Sequence, residues 1–285
     1  MRTLALALLG LLLAACTRNA PSDSGSGAPQ TKTFPMATEG FVFKEIEVHD
    51  RGPGGKSLYA VYVPRDYDPS VPTPTILFLH GSGESGTDGQ KQIAVGLGSA
   101  IQLNRDQWPF IAIFPQKPDS QSQWVDHKQL VLDILARTQS EYNVDANRIY
   151  LTGLSQGGAG TWALGALYPD KWAALVPICG YYRKMGNEFL PQSIAIRVKD
   201  LPIWAFHGLK DDVVPPEQTT AIVDAVQQRQ IGLENLIPIK VTLLPDANHN
   251  SWDAAYRNFN LGQWFLQYTR DSRATSPGAP ANDAP

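Results

Sequence analysis

Residues 149–158 read Ile149-Tyr150-Leu151-Thr152-Gly153-Leu154-Ser155-Gln156-Gly157-Gly158. The apolar and β-branched run Ile149–Thr152 predicts a buried strand, and the glycines after it predict a tight turn into a helix over Gly158–Tyr168. That context gives the G-x-S-x-G pattern its weight. A serine on such a turn is held in strained backbone geometry with its hydroxyl clear of the sheet, and glycines on either side let strand and helix approach closely. The helix N-terminus beneath it offers N–H groups to developing negative charge.

Working outward, short apolar runs alternate with longer amphipathic stretches, the pattern of βαβ units and a mainly parallel sheet. Strands are predicted at Phe41–Val48, Leu58–Val63, Thr75–Leu79, Ile111–Phe114, Ile149–Thr152, Ala174–Ile178, Ile203–Phe206 and Lys240–Leu244. The first two leave no room for a helix, so the Gly52-Pro53-Gly54-Gly55 turn makes them an antiparallel hairpin. The later runs are nearly continuous in apolar character, as expected of strands covered on both faces. Further helices are predicted at Asp126–Tyr142, Pro216–Arg229 and Gly262–Tyr268. The segment Tyr181–Lys199 is short for a lid, which leaves an open cleft.

A serine hydroxyl needs a base to take its proton, and the base needs a group to orient it. Of the five histidines, His49 and His127 read as surface residues. His80 and His207 each end a strand before a glycine and read as shaping loops at the top of the sheet. His249, in the loop Asp246-Ala247-Asn248-His249-Asn250-Ser251-Trp252, is left as the base. For the acid, Asp211 and Asp212 both follow a strand, and chemistry alone does not choose between neighbours. No histidine or cysteine cluster has metal-ligand spacing, and no cofactor is expected.

Three separated segments, His80-Gly81-Ser82-Gly83-Glu84-Ser85-Gly86, the Ser155 turn and His207-Gly208-x-x-Asp211-x-x-Val214-Pro215, with His249-Asn250-Ser251-Trp252 as a fourth, resemble the α/β-hydrolase superfamily. Within it the chain is similar to the small serine esterases and predicted peptidases related to dienelactone hydrolase and to the phospholipase/carboxylesterase group. The resemblance implies an α/β-hydrolase fold with an eight-stranded, mostly parallel sheet, helices on both faces and a minimal lid. It assigns the acid to Asp211 and an oxyanion hole to the backbone N–H groups of Ser82 and Gln156. Dienelactone hydrolase itself uses a cysteine nucleophile, so its substrate does not carry over to this serine. Phe114-Pro115-Gln116 and Gln123-Trp124 resemble the region bordering the cleft in the predicted peptidases. Trp124 and His80 are therefore candidate substrate contacts, with an aromatic packed under a loop as the other reading of Trp124. The implied activity is cleavage of small-molecule or polymer-linked carboxylic esters. Peptidase activity, or a catalytically silent surface binding protein, are the alternatives.

Over the whole chain of 285 residues, 43% apolar, one sizeable core is expected. A net charge of −3 with no dense run of Lys or Arg excludes nucleic-acid binding. Met1-Arg2 followed by Leu4–Leu13 reads as an export signal, and Leu13-Ala14-Ala15-Cys16 resembles the lipobox of bacterial lipoproteins. The organisation expected is thus a signal at 1–15, a lipidated Ser/Gly/Pro-rich tether at 16–37 starting with Cys16, a catalytic domain at 38–269, and a disordered tail at 270–285. Thr17 after Cys16 resembles lipoproteins sorted outward, which implies a membrane-anchored protein of the cell envelope. Cys179 would then be the single cysteine of the domain, a small buried hydrophobe unable to form an intrachain disulfide.

Overall fold

The computed structural model describes residues 33–48, 55–182, 186–232, 234 and 236–271. The expected signal, Cys16, the tether up to residue 32, His49, the Gly52-Pro53-Gly54 part of the hairpin turn and the tail after 271 lie outside the described residues.

Eight strands form one sheet: β1 (Gly40–Glu47), β2 (Lys56–Val63), β3 (Thr73–Leu79), β4 (Ile111–Pro115), β5 (Val144–Leu154), β6 (Ala174–Ile178), β7 (Ile203–Gly208) and β8 (Ile239–Leu244), in the order β1-β2-β4-β3-β5-β6-β7-β8. β1 and β2 pair antiparallel from Gly40↔Val63 to Glu47↔Lys56, and β2 is also antiparallel to β4. All other pairings are parallel. The strand order reverses at β3, which lies between β4 and β5. In open parallel sheets, ligand crevices form at the carboxyl ends of strands beside such a reversal.

Strand side chains alternate between two apolar layers, which is why the runs read as continuously apolar. Leu77, Ile113, Leu151, Leu175 and Ala205 face α2 (Lys128–Glu141), α3 (Gln156–Leu167), α4 (Pro191–Val198) and α5 (Glu217–Gln230). Ile76, Ala112, Tyr150, Val176 and Phe206 face α1 (Gly96–Leu103), α6 (Trp252–Asn258) and α7 (Leu261–Phe265). Each fully buried aliphatic or aromatic side chain contributes roughly 1.5–3 kcal/mol, so both layers are needed to hold the sheet.

Three helices were not predicted. α1 carries two glycines in eight residues, a composition that propensity reads as loop. α6 is hidden in a polar histidine-bearing loop. α4 occupies the segment expected to border an open cleft, but it buries Ile194, Ala195 and Val198 between α3 and α5 and so belongs to the core. α3 begins at Gln156, two residues before the predicted start, because packing of the turn overrides the low propensity of Gly157 and Gly158. Among the described residues, no helix is long and apolar enough to cross a membrane.

Candidate active site

Ser155 stands between β5 and α3 with φ 53° and ψ −116°, a strained conformation for a residue with a side chain, costing of order 1–3 kcal/mol. Close packing enforces it. A Cβ on Gly157 would run into the carbonyl oxygen of Leu79, and one on Gly153 into that of Gly157. The Ser155 amide is fixed by Ile178 O at 2.9 Å and by Cys179 Sγ at 3.3 Å. The Cys179 thiol is fully buried, and desolvation pushes it up to about 12, so it stays protonated.

Two loops at the carboxyl edge bring the other candidate groups to this serine. After β7, Asp211 is buried, and its Oδ1 accepts the N–H groups of Val213 (2.9 Å) and Val214 (2.8 Å). After β8, His249 lies in a loop stitched to the first by Leu209 N to Leu244 O (2.9 Å) and Lys210 N to Ala247 O (3.0 Å). His249 Nδ1 lies 2.8 Å from Asp211 Oδ2, and Nε2 lies 2.9 Å from Ser155 Oγ. Asp212, the neighbour that chemistry could not separate from Asp211, is exposed. Trp252 meets the His249 ring edge-on at 5.5 Å, fixing its tilt. Hydroxyl, imidazole and carboxylate thus form one hydrogen-bonded line. Such a line can move a proton off the serine and stabilise the resulting imidazolium.

Gln156 is the first residue of α3 and Ser82 the first of the 3-10 turn Ser82–Glu84, so neither N–H has a partner within its own helix. A Cβ on Gly81 would sit 3.6 Å from Ser155 Cβ, which brings the Ser82 loop alongside the serine. The loop is braced by Gln116, whose Nε2 donates to Glu84 O (3.0 Å), and by the buried Lys117, whose Nζ donates to Ser85 Oγ (2.8 Å) and to Asp119 O. Burial draws the Lys117 ammonium down to about 8. The Gln156 side chain donates to Ser120 O (3.2 Å) and Ser122 O (2.9 Å), tying the elbow to the loop at 120–122.

The expected substrate contacts at Trp124 and His80 are corrected by the structure. Both are fully buried, and the Trp124 indole N–H donates to His80 O at 2.9 Å. His80 Nδ1 faces Gly81 O at 2.5 Å and Nε2 accepts the Lys117 N–H at 3.2 Å, while burial depresses the ring to about 3. These side chains hold the Ser82 loop from below instead of meeting a ligand. Lys117 was missed because a lysine between Gln116 and Pro118 reads as solvated surface. Tyr181, whose hydroxyl donates to Gln123 Oε1 at 2.8 Å, carried no motif that singled it out.

Among the described residues, one grouping could offer metal donors: Cys179, Asp211 and His249, with ligand atoms within 4.8 Å of one another. Its thiol is held protonated, and its imidazole and carboxylate are already paired to each other.

The model of the phospholipase/carboxylesterase family matches residues 99–258. The chain is 27% identical over 179 residues to a bifunctional acetylxylan esterase/xylanase of Neocallimastix patriciarum, covering 61% of this chain and 24% of that protein. It is 30% identical over 165 residues to acyl-protein thioesterase 1 of Yarrowia lipolytica, covering 50% and 71%. The chain thus spans about a quarter of the first relative's length. Among solved structures, a thermostable esterase is similar at 30% identity with a TM-score of 0.68, covering 80% of this chain and 63% of that one.

Proposed function

The chain belongs to the phospholipase/carboxylesterase family of the α/β-hydrolase superfamily, and from that premise we propose that it hydrolyses carboxylic esters through an acyl-enzyme on Ser155. Ser155 Oγ attacks the ester carbonyl while His249 Nε2 takes its proton; Asp211 holds His249 Nδ1–H and stabilises the imidazolium. The N–H groups of Ser82 and Gln156 receive the oxyanion, and the proton on His249 passes to the leaving alcohol. Water, deprotonated by the same imidazole, then releases the acid and frees the serine. The observation that carries this reading is the unbroken line Ser155–His249–Asp211, with contacts of 2.9 and 2.8 Å, at the carboxyl edge of a parallel sheet.

Acetylxylan esterase and acyl-protein thioesterase, the names of two relatives, support a substrate class of acyl groups carried on large molecules. A site whose serine and histidine stay partly exposed, with the 191–198 helix drawn into the core, suits such substrates. Export and anchoring through an acylated Cys16 complete the proposal. Cys16→Ala should release the protein from membranes, and unchanged membrane association would remove that part.

The reading is tested with nitrophenyl esters of graded chain length and with acetylated and feruloylated sugars. A nitrophenol burst matching the enzyme concentration is expected, with kcat for Ser155→Ala lower by about four orders of magnitude or more. Linear release without a burst, undiminished in Ser155→Ala, would contradict it.

A further inference from the structure

We infer that His207 is a positioning residue for the proton relay, a second and neutral imidazole whose Nε2–H, bonded to Val214 O, also faces Asp211 Oδ2 and keeps that oxygen in line with His249. This rests on the acyl-enzyme reading above, since it concerns the same carboxylate.

Asp211 Oδ2 is shared by two imidazoles: His249 Nδ1 lies at 2.8 Å and His207 Nε2 at 3.1 Å. His207 is fully buried at the end of β7. Its Nε2 also lies 2.8 Å from Val214 O, and its Nδ1 lies 2.7 Å from Thr219 Oγ1 on α5. Both neighbours of Nε2 are acceptors, so Nε2 carries the proton. Nδ1 then accepts from the Thr219 hydroxyl, which also lies 3.2 Å from Gly180 O. Val214 closes the frame, with its amide on Asp211 Oδ1 and its carbonyl on His207.

The neutral state matters chemically. A cationic His207 would neutralise Asp211 from the wrong side and weaken its hold on the His249 imidazolium. Burial lowers the proton affinity of His207, against the pull of Val214 O and Asp211, so it supplies geometry without competing charge. The charged or titratable groups around this frame are Asp211 itself, His249 beyond it, and the protonated Cys179 thiol after β6. Thr219 and the Val214 and Gly180 carbonyls complete it with neutral contacts.

Removing the Nε2–H donor leaves more charge on Oδ2 facing His249, so His249 keeps its proton to higher pH, and the carboxylate is freer to turn. His207→Leu is expected to lower kcat about tenfold with KM within twofold of wild type. It should move the acidic limb of kcat/KM upward by about half a pH unit. His207→Gln, whose Nε2 reaches a similar place, should keep the limb within about 0.2 unit and recover most of kcat. The downfield proton resonance of His249 Nδ1–H, identified by its loss in His249→Ala, should move in His207→Leu and stay in His207→Gln. That readout needs no ester, so a relay proton without Ser155 chemistry would fault the acyl-enzyme reading alone. Should His207→Leu fail to fold, Thr219→Val, which removes the hydroxyl orienting the ring, should shift limb and resonance in the same direction by less. The inference is overturned if folded His207→Leu, or failing it Thr219→Val, leaves both unchanged. It is equally overturned if His207→Gln is as impaired as His207→Leu, since ring packing alone would then explain the loss.

Discussion

The dipeptide His-Gly occurs twice at the carboxyl edge of the sheet, as His80-Gly81 just after β3 and His207-Gly208 at the end of β7, and the two copies are braced to different things. Both histidines are fully buried, and both glycines allow a close approach: a Cβ on Gly81 would come within 2.9 Å of Leu154 Cδ1, and one on Gly208 would collide with Asn248 O. His80 is held by backbone groups, Gly81 O and Lys117 N, and by the edge of Trp124 at 4.8 Å between ring centroids. His207 is held by a carboxylate, a carbonyl and a threonine hydroxyl. Strand order accounts for the difference. β3 neighbours β5, so the first copy supports the loop beside Ser155; β7 neighbours β8, so the second supports the acid beneath His249.

If the β7 copy serves the relay, the largest effect belongs there. Asp211→Asn is expected to lower kcat by about four orders of magnitude, because the amide favours the wrong imidazole tautomer, while Asp212→Asn stays within about twofold. Steady-state kinetics on both variants checks this, and equal losses would erase the distinction between the neighbours.

The β3 copy should show itself first in stability. His80→Ala leaves a cavity against Trp124 and strands the Lys117 amide, a combination expected to cost about 3 kcal/mol in urea unfolding. A cost below about 1 kcal/mol would mean that the Ser82 loop is held without it.

A smaller, pH-dependent effect sharpens the same contrast. The folded ring of His80 titrates near 3, against an ordinary value of about 6.5 unfolded. Above that ordinary value both states are neutral and the stabilisation is complete. Below it the unfolded chain takes up a proton that the folded ring refuses, so stability falls as pH drops toward 3, at a limiting slope of roughly 1.4 kcal/mol per unit. His207, also depressed by burial, adds in the same direction. Unfolding free energies at pH 7, 6, 5 and 4 should decline less steeply in His80→Gln than in wild type; parallel slopes would remove His80 from the account.

Much of this architecture was legible in the residues. The eight strands announced themselves because both faces of each inner strand are covered, so apolar character runs along them without a break. The helices α1 and α4 did not, since two glycines and a connecting-loop position gave no periodicity, and only packing makes them helical. Ser155 stood out through the glycines that its turn demands, and His249 through elimination along the chain. Asp211 could be separated from Asp212 only by family likeness; in three dimensions one carboxylate turns inward and its neighbour outward. His80 and Trp124, each open to two readings, turn out to support the loop and not to line a ligand site, and Lys117 was missed. Which reading applies to a polar or aromatic loop residue depends on the backbone groups that it satisfies, and these are not visible in residue types.

Activation of Ser155 as a nucleophile by His249 is open to intact-mass analysis of the folded protein after fluorophosphonate treatment. A single adduct on Ser155 is expected in wild type, none in Ser155→Ala, and labelling slowed by several hundredfold or more in His249→Ala. A folded wild type that takes up no probe, or an adduct that persists in Ser155→Ala, would contradict it.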